Sequence, residues 1–251
     1  MTAAEILLAL ELPAAARVDR RIPKTMLTEH GAPTAADKRQ IKEGIEKIQW
    51  IAVLKPGTVG VAEYQDETRE YLEIAVLQLV LRAKAKLTRL VELLHRAVPY
   101  PVVIVADQGE HSHLSLAHKR WSQGESDKVV LDGEVVAVDP IEVDESTRAE
   151  FAAALALGRQ PRSTLFSLYQ GWMDTLLALH AARRTSTFDI PDTADCRAAR
   201  REALATCERL DAEIARLRAA AAKETQMARQ VKLNLKLKRL EAESTAALKE
   251  L

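Results

Sequence analysis

Nine basic residues stand where side chains could converge on a phosphate group: Arg21, Lys24, Lys38, Lys55, His95, Arg96, His118, Lys119 and Arg120. They fall at loop starts, helix ends and a strand end. Lys and Arg in such places suit phosphate oxygens, and binding through them weakens steeply as salt rises. The densest part of the set is "LSLAHKRW" (114–121), where His118, Lys119 and Arg120 stand beside Trp121. Alternation along a strand sends His118 and Lys119 to opposite faces. A structural His118 at a solvated strand end is therefore favoured over a catalytic one. His95 and Arg96 sit in the last turn of a helix, where the dipole favours cations without any ligand. The residues describe a phosphate- or partner-binding surface in competition with an ordinary polar one.

A second set is acidic. Glu43, Glu63, Asp66 and Glu73 could supply carboxylates to a Mg²⁺ ion that activates water. The order helix 34–47, strands 48–54, 58–62 and 71–82, helix 83–97 and strand 101–106 is similar to the α-β-β-β-α-β core of the PD-(D/E)xK nucleases. Such enzymes place a carboxylate near the second strand and Glu-x-Lys on the third. Here "EIA" (73–75) and "QLV" (78–80) stand where Glu-x-Lys should be, and Lys84 lies beyond the strand. A divergent nuclease, with Mg²⁺ as its only cofactor, is thus the alternative reading, and no catalytic residue is assigned. His111 and His113 form a His-x-His that can bind metal, but with no third ligand beside them in the sequence no metal site is expected. Walker, GxGxxG and GxSxG motifs are absent from the sequence.

These residues need elements to position them. Residues 3–11 read as a short amphipathic helix stopped by Pro13, and 17–33 as a polar, basic loop. Thr34 caps a helix running to roughly Lys47, with Asp37 in its first turn. "IQWIAVL" (48–54) reads as a buried strand, "TVGVA" (58–62) as a second, and 63–70 as a polar connection. "YLEIAVLQLVLR" (71–82) is apolar on both alternating faces apart from Glu73 and Gln78, the pattern of a central strand. A helix over 83–98 and a strand at 101–106 follow, implying a right-handed crossover between parallel strands. "DQGE" (107–110) and "SQGESD" (122–127) read as turns, and 129–138 completes a mixed sheet of about five strands.

After Pro140 the strand signal stops. Helices are expected over 146–157 and 163–184. From Ala194 to Leu251 there is neither Gly nor Pro. Cys207, Leu210, Ile214, Leu217 and Ala221 fall at a/d spacing, and Leu233, Leu237, Leu240 and Ala247 do so in another phase. This is a coiled coil with a phase break, or two helices folded back at "KETQ" (223–226). Its apolar stripe needs a partner: its own other half, a second copy, or another protein. The fold expected is α+β: a mixed α/β domain over 1–140, a helical connector over 141–192 and a helical tail over 193–251, through which a homodimer could form.

Composition narrows the function classes. Of the 251 residues, 47% are hydrophobic and 29% charged, enough for a core and a wetted surface. Lys plus Arg equal Asp plus Glu at 36 each, so any nucleic-acid binding must come from a local patch such as "MARQVKLNLKLKR" (227–239). No apolar run suits a membrane span, and the acidic residue in "AAEILLALELPAAA" argues against a signal peptide. Cys196 and Cys207, eleven apart on an expected helix, lie about three turns from each other, too far for a disulfide. A cytoplasmic setting fits them.

Several segments together resemble one bacterial family, catalogued as domain of unknown function 4391. They are "RIPKTML" (21–27), "TAADKRQIKEGIEKIQWIAVLKP" (34–56), "REYLEI" (69–74), "HRAVPYPV" (95–102), "LAHKR" (116–120) and "KETQMARQVKLN" (223–234). The resemblance spans nearly the whole chain and rests on many short motifs recurring in order. It implies an accessory role in DNA handling, because genes of that family often lie beside those for helicase-like translocases and DNA methyltransferases, in clusters resembling restriction–modification and phage-defence systems. The expectation is a non-enzymatic accessory subunit that binds such a protein partner, with DNA as a further candidate partner.

Overall fold

The computed structural model of the chain describes residues 1–125 and 128–251. Two compact units are present, residues 1–179 and 180–251. The first is α+β and the second is helical.

The first unit is built on a six-stranded mixed sheet. Its strands are β1 (Arg17–Ile22), β2 (Ile45–Leu54), β5 (Ile74–Leu81), β6 (Val102–Gln108), β7 (His111–Leu116) and β10 (Val136–Val138), and they lie side by side in that order. Two small hairpins stand apart: β3 (Tyr64–Gln65) with β4 (Glu70–Tyr71), and β8 (Lys119–Trp121) with β9 (Val129–Leu131). Every neighbour in the large sheet is antiparallel except β5 and β6, which are parallel, as the strand–helix–strand pattern requires. The connecting helix is α5 (Leu87–Ala97).

Alternation decides the packing. Ala75, Leu77, Leu79 and Leu81 of β5 join Val102, Ile104 and Ala106 of β6 in one core. That core takes in Leu90, Val91, Leu93 and Leu94 of α5, and Ile41 of α3 (Ala35–Gly44). The intervening residues Val76, Val103 and Val105 are also buried, so the sheet is covered on both faces here, and β5 is central as its sequence requires. Buried Tyr169 and Trp172 come from α7 (Leu165–Thr185), and buried Phe151 from α6 (Glu145–Ala154).

Four expectations are corrected. Residues 17–33 hold the edge strand β1 and the helix α2 (Lys24–His30), not a loop. The strand expected at 58–62 is instead a short helix, α4 (Pro56–Val59): Pro56 suits its first position, and Gly60, at φ 65°, ends it in a left-handed turn. Without that strand, only two strands follow α3 before α5 in the large sheet, so the three-strand run expected of a nuclease core is not formed as read. The polar stretch 63–70 contains most of a hairpin, and 129–138 is two strands in two sheets, divided at Gly133 with φ 90°. The turn expected at 122–127 ends in residues 126 and 127, which lie outside the described ones. The remaining helix, α1 (Ala3–Ala9), is capped by Thr2.

The second unit resolves the tail as a hairpin. Helices α8 (Ala194–Lys223) and α9 (Met227–Ala247) break at the predicted polar segment. The chain folds back so that Leu251 shares a cavity with Cys196 near the start of α8. Leu210, Ile214, Leu217 and Ala221 pack against Leu237 and Leu240. Each half turns its own stripe towards the other, which accounts for the two phases. Among the described residues no helix is long and apolar enough to cross a membrane.

Asp37 ties α3 to α5. The Arg89 fork donates to both of its oxygens at 2.8 and 2.9 Å, and the Thr34 hydroxyl donates at 2.7 Å. Arg89 first, then Thr34, hold the carboxyl at about 2. A depressed carboxylate contributes stability that is present above its unfolded value near ~3.9 and is lost as pH falls through the folded one. The Asp37→Asn variant is accordingly expected to lose less stability than the wild type between about pH 4 and pH 2. Urea unfolding followed by circular dichroism reads this, and equal losses would show that the pair contributes nothing.

Candidate functional site

The segment Ala117–Trp121 is where the predicted basic residues come closest together. β7 ends at Leu116, and the buried hydroxyl of Tyr169 holds the next residue, accepting from the Ala117 amide at 2.9 Å and donating to the Val102 carbonyl at 2.8 Å. The chain then leaves the large sheet for β8, and His118 and Lys119 point apart as alternation demands.

His118 turns towards an aromatic cluster. Its Nδ1 lies 2.5 Å from the Tyr71 hydroxyl and its Nε2 2.9 Å from Gln170 Oε1, while the Gln170 amide donates to Asp174 at 2.8 Å. A carbonyl oxygen can only accept, so Nε2 carries the proton. Nδ1 then accepts from Tyr71, whose hydroxyl burial pushes well above its ordinary value, keeping it protonated. Phe166 and Tyr169 pack on the imidazole with centroids 5.5 and 5.4 Å away. Both ring nitrogens are thus engaged, and fully buried Tyr71 closes one end of the chain of bonds. The arrangement orients His118; it does not present a free base.

Lys119 turns the other way and is buried, with 3% exposure. Its ammonium donates to the carbonyls of His95, at 2.5 Å, and Val98, the exposed end of the α5 ladder. Burial pulls its pKa down to about 7. His95 itself is fully buried, bonded through Nε2 to the Ser115 hydroxyl at 3.1 Å. Burial, then the neighbouring Lys119 charge, push its pKa down to about 3, so it is neutral and inside rather than on a surface. Arg120 approaches Asp132 at 3.6 Å, and Arg69 holds the same carboxylate at 2.6 Å.

A cavity of about 250 Å³ opens beside this segment, lined by Glu70, Glu73, Tyr100, Lys119, Arg120 and Trp121 among others. It joins both charge signs to an aromatic wall, which suits a small polar group or a protruding side chain.

The other predicted residues are dispersed. Arg21 and Lys38 are exposed on β1 and α3. Lys24 donates to the Ile45 carbonyl at 2.8 Å, closing the end of α3, and Arg96 pairs with Glu92 at 2.9 Å. Lys55 pairs with Glu73 at 2.8 Å. Of the acids, Glu43 pairs with Arg39 and Glu63 is exposed. Asp66 organises the β3–β4 turn, accepting from the Tyr64 hydroxyl and from the Thr68 and Arg69 amides, bonds that hold it well below the usual carboxylate range.

One convergence was not anticipated. His111 and His113 share one face of β7, and Asp139, just past β10, brings a carboxylate between them. Its Oδ2 lies 2.7 Å from His111 Nδ1 and 3.8 Å from His113 Nε2. Burial lowers the His113 pKa, leaving that imidazole neutral. The third group is 26 positions downstream of His113, and only the antiparallel register of β7 with β10 could have pointed to it.

The profile of the family described as domain of unknown function (DUF4391) matches residues 10–243. No curated protein and no solved structure matches the chain.

Proposed function

The chain belongs to the family described as domain of unknown function (DUF4391), and we propose that it is a cytoplasmic, non-enzymatic accessory subunit of a DNA-handling assembly. It binds a helicase-like or methyltransferase protein partner and touches DNA phosphates. The observation that carries this reading is the outer face of α9. Met227, Val231 and Leu235, spaced four apart, are 80%, 52% and 57% exposed. Lys232, Lys238 and Arg239 are exposed beside them, and residues 227–240 include no acid. An apolar stripe flanked by cations suits an anionic partner surface. The non-enzymatic part is supported by the engagement of Glu43, Asp66 and Glu73 in the contacts described above. The free thiols of Cys196 and Cys207 support the reducing compartment.

The test is a gel shift of labelled duplex and single-stranded DNA by the full chain over a salt series, with and without Mg²⁺ or Mn²⁺. Three or four phosphate contacts would give a log–log salt slope of about −3 on duplex. Reversing Lys232, Lys238 and Arg239 to Glu is expected to abolish the shift, with no cleavage in any lane. Metal-dependent cleavage abolished by Glu73→Ala would overturn the non-enzymatic reading in favour of the nuclease. No shift at low salt would remove DNA as a partner.

A further inference from the structure

His111 and His113 leave one face of β7, because residues two apart on a strand share a face. Ser112 between them is buried on the other face. Val138, the last residue of β10, pairs with Leu114, so the next residue, Asp139, falls level with His113. The Asp139 side chain is 5% exposed. Its Oδ1 accepts from the Ile141 amide at 3.0 Å, which leaves Oδ2 turned to the two imidazoles. One ligand atom from each of the three residues lies within 4.8 Å of the others.

We propose that His111, His113 and Asp139 form a binding site for a single divalent transition-metal ion of the zinc class. Zinc holds nitrogen and oxygen ligands at about 2.0–2.2 Å in a tetrahedron, which sets the ligand atoms roughly 3.3–3.5 Å apart. The 2.7 and 3.8 Å separations bracket that spacing. Small side-chain rotations close the set, and the 58% exposed His111 side chain has room to make the larger one. On binding, the ion takes the place of the proton between His111 Nδ1 and Asp139; the neutral imidazole keeps one N–H by taking up a proton from solvent at Nε2, and only a doubly protonated ring releases one. The Ile141 amide orients the carboxylate from behind, the outer support that ligating groups need.

The donor set chooses the ion. Two imidazoles and one carboxylate suit Zn²⁺, Co²⁺, Ni²⁺ or Fe²⁺, whereas Mg²⁺ and Ca²⁺ want oxygens. Three protein ligands leave a fourth position on the exposed His111 side for water or for a ligand atom brought by another molecule. The ion also ties the three-residue edge strand β10 to β7. A plain His–Asp ion pair is the competing account, and it takes up no metal.

Untagged full-length protein, stripped with chelator, is titrated with Zn²⁺ by calorimetry and with Co²⁺ by visible absorption, and its thermal unfolding is followed. One ion per chain, a tetrahedral Co²⁺ band and a raised unfolding midpoint are expected, with no response to millimolar Mg²⁺. His111→Ala and His113→Ala should each weaken binding more than about a hundredfold, beyond the loss of a mere outer partner. His111→Ala alters an exposed side chain, so its circular dichroism should match the wild type and its lost affinity cannot be put down to misfolding. No binding, or binding unchanged in either variant, overturns the proposal.

Discussion

Denaturant unfolding is expected to show the chain about 2 kcal/mol more stable at pH 9 than at pH 7, and the Lys119→Met variant is expected to lose that rise. The Lys119 amine has a folded-state pKa of about 7, set by burial, against an unfolded value near ~10.4. Between the two, the unfolded chain binds more protons than the folded one, so stability increases with pH. Below the folded value the full cost of burying the cation is present. The His95 and Val98 carbonyls work the other way, because a helix C-terminus favours a cation, so the stated rise is an upper figure. Met keeps much of the volume and drops the charge.

Two neighbouring effects fix the window for that measurement. Burial raises the Tyr71 and Tyr169 hydroxyls, so stability falls once the unfolded tyrosines ionise near pH ~10. His95 is depressed to about 3, so its contribution is lost as pH drops from roughly 6.5 towards that value. A wild-type profile flat between about pH 7 and 9 would mean that the Lys119 ammonium is solvated.

How much of this could be read beforehand depends on what marks each element. β5 was legible because both of its faces are buried and its residues are apolar apart from Gln78. The α8–α9 hairpin was legible as a change of stripe phase, although the phase alone left a continuous coil open. β1 was not legible: "RVDRRI" is mostly exposed, held by backbone bonds to β2 rather than by a hydrophobic face. "TVGVA" has a strand-like alternation, yet Pro56 and Gly60 impose a helical turn. At the site, residue types were legible and their commitments were not. Nothing in "AHKR" says that Lys119 closes the end of α5, because α5 lies more than twenty residues earlier and the contact exists only once the sheet has formed. Asp139 escaped for the same reason.

Tyr169→Phe is expected to destabilise the chain by about 2–4 kcal/mol, read as a lower urea midpoint at unchanged slope. The phenol is fully buried, and its oxygen serves the backbone of two residues: it accepts from the Ala117 amide, and its proton faces the Val102 carbonyl at 2.8 Å and the Ala117 carbonyl at 3.1 Å. Phe has the same ring and fills the same space, so the change removes the oxygen alone. Each backbone group is then left buried without that partner, at roughly 1–3 kcal/mol apiece. Tyr64→Phe is the comparison, since its hydroxyl bonds Asp66 at a partly exposed turn where water can replace it, and a loss within about 1 kcal/mol is expected. Ala117 is also the last residue before His118, whose imidazole packs against the Tyr169 ring. Freeing its backbone should loosen the segment that carries His118 to one side and Lys119 to the other, so amide exchange should quicken over residues 116–121. Equal small losses in the two variants, with exchange unchanged, would mean that Tyr169 only fills space and that β8 is positioned from elsewhere.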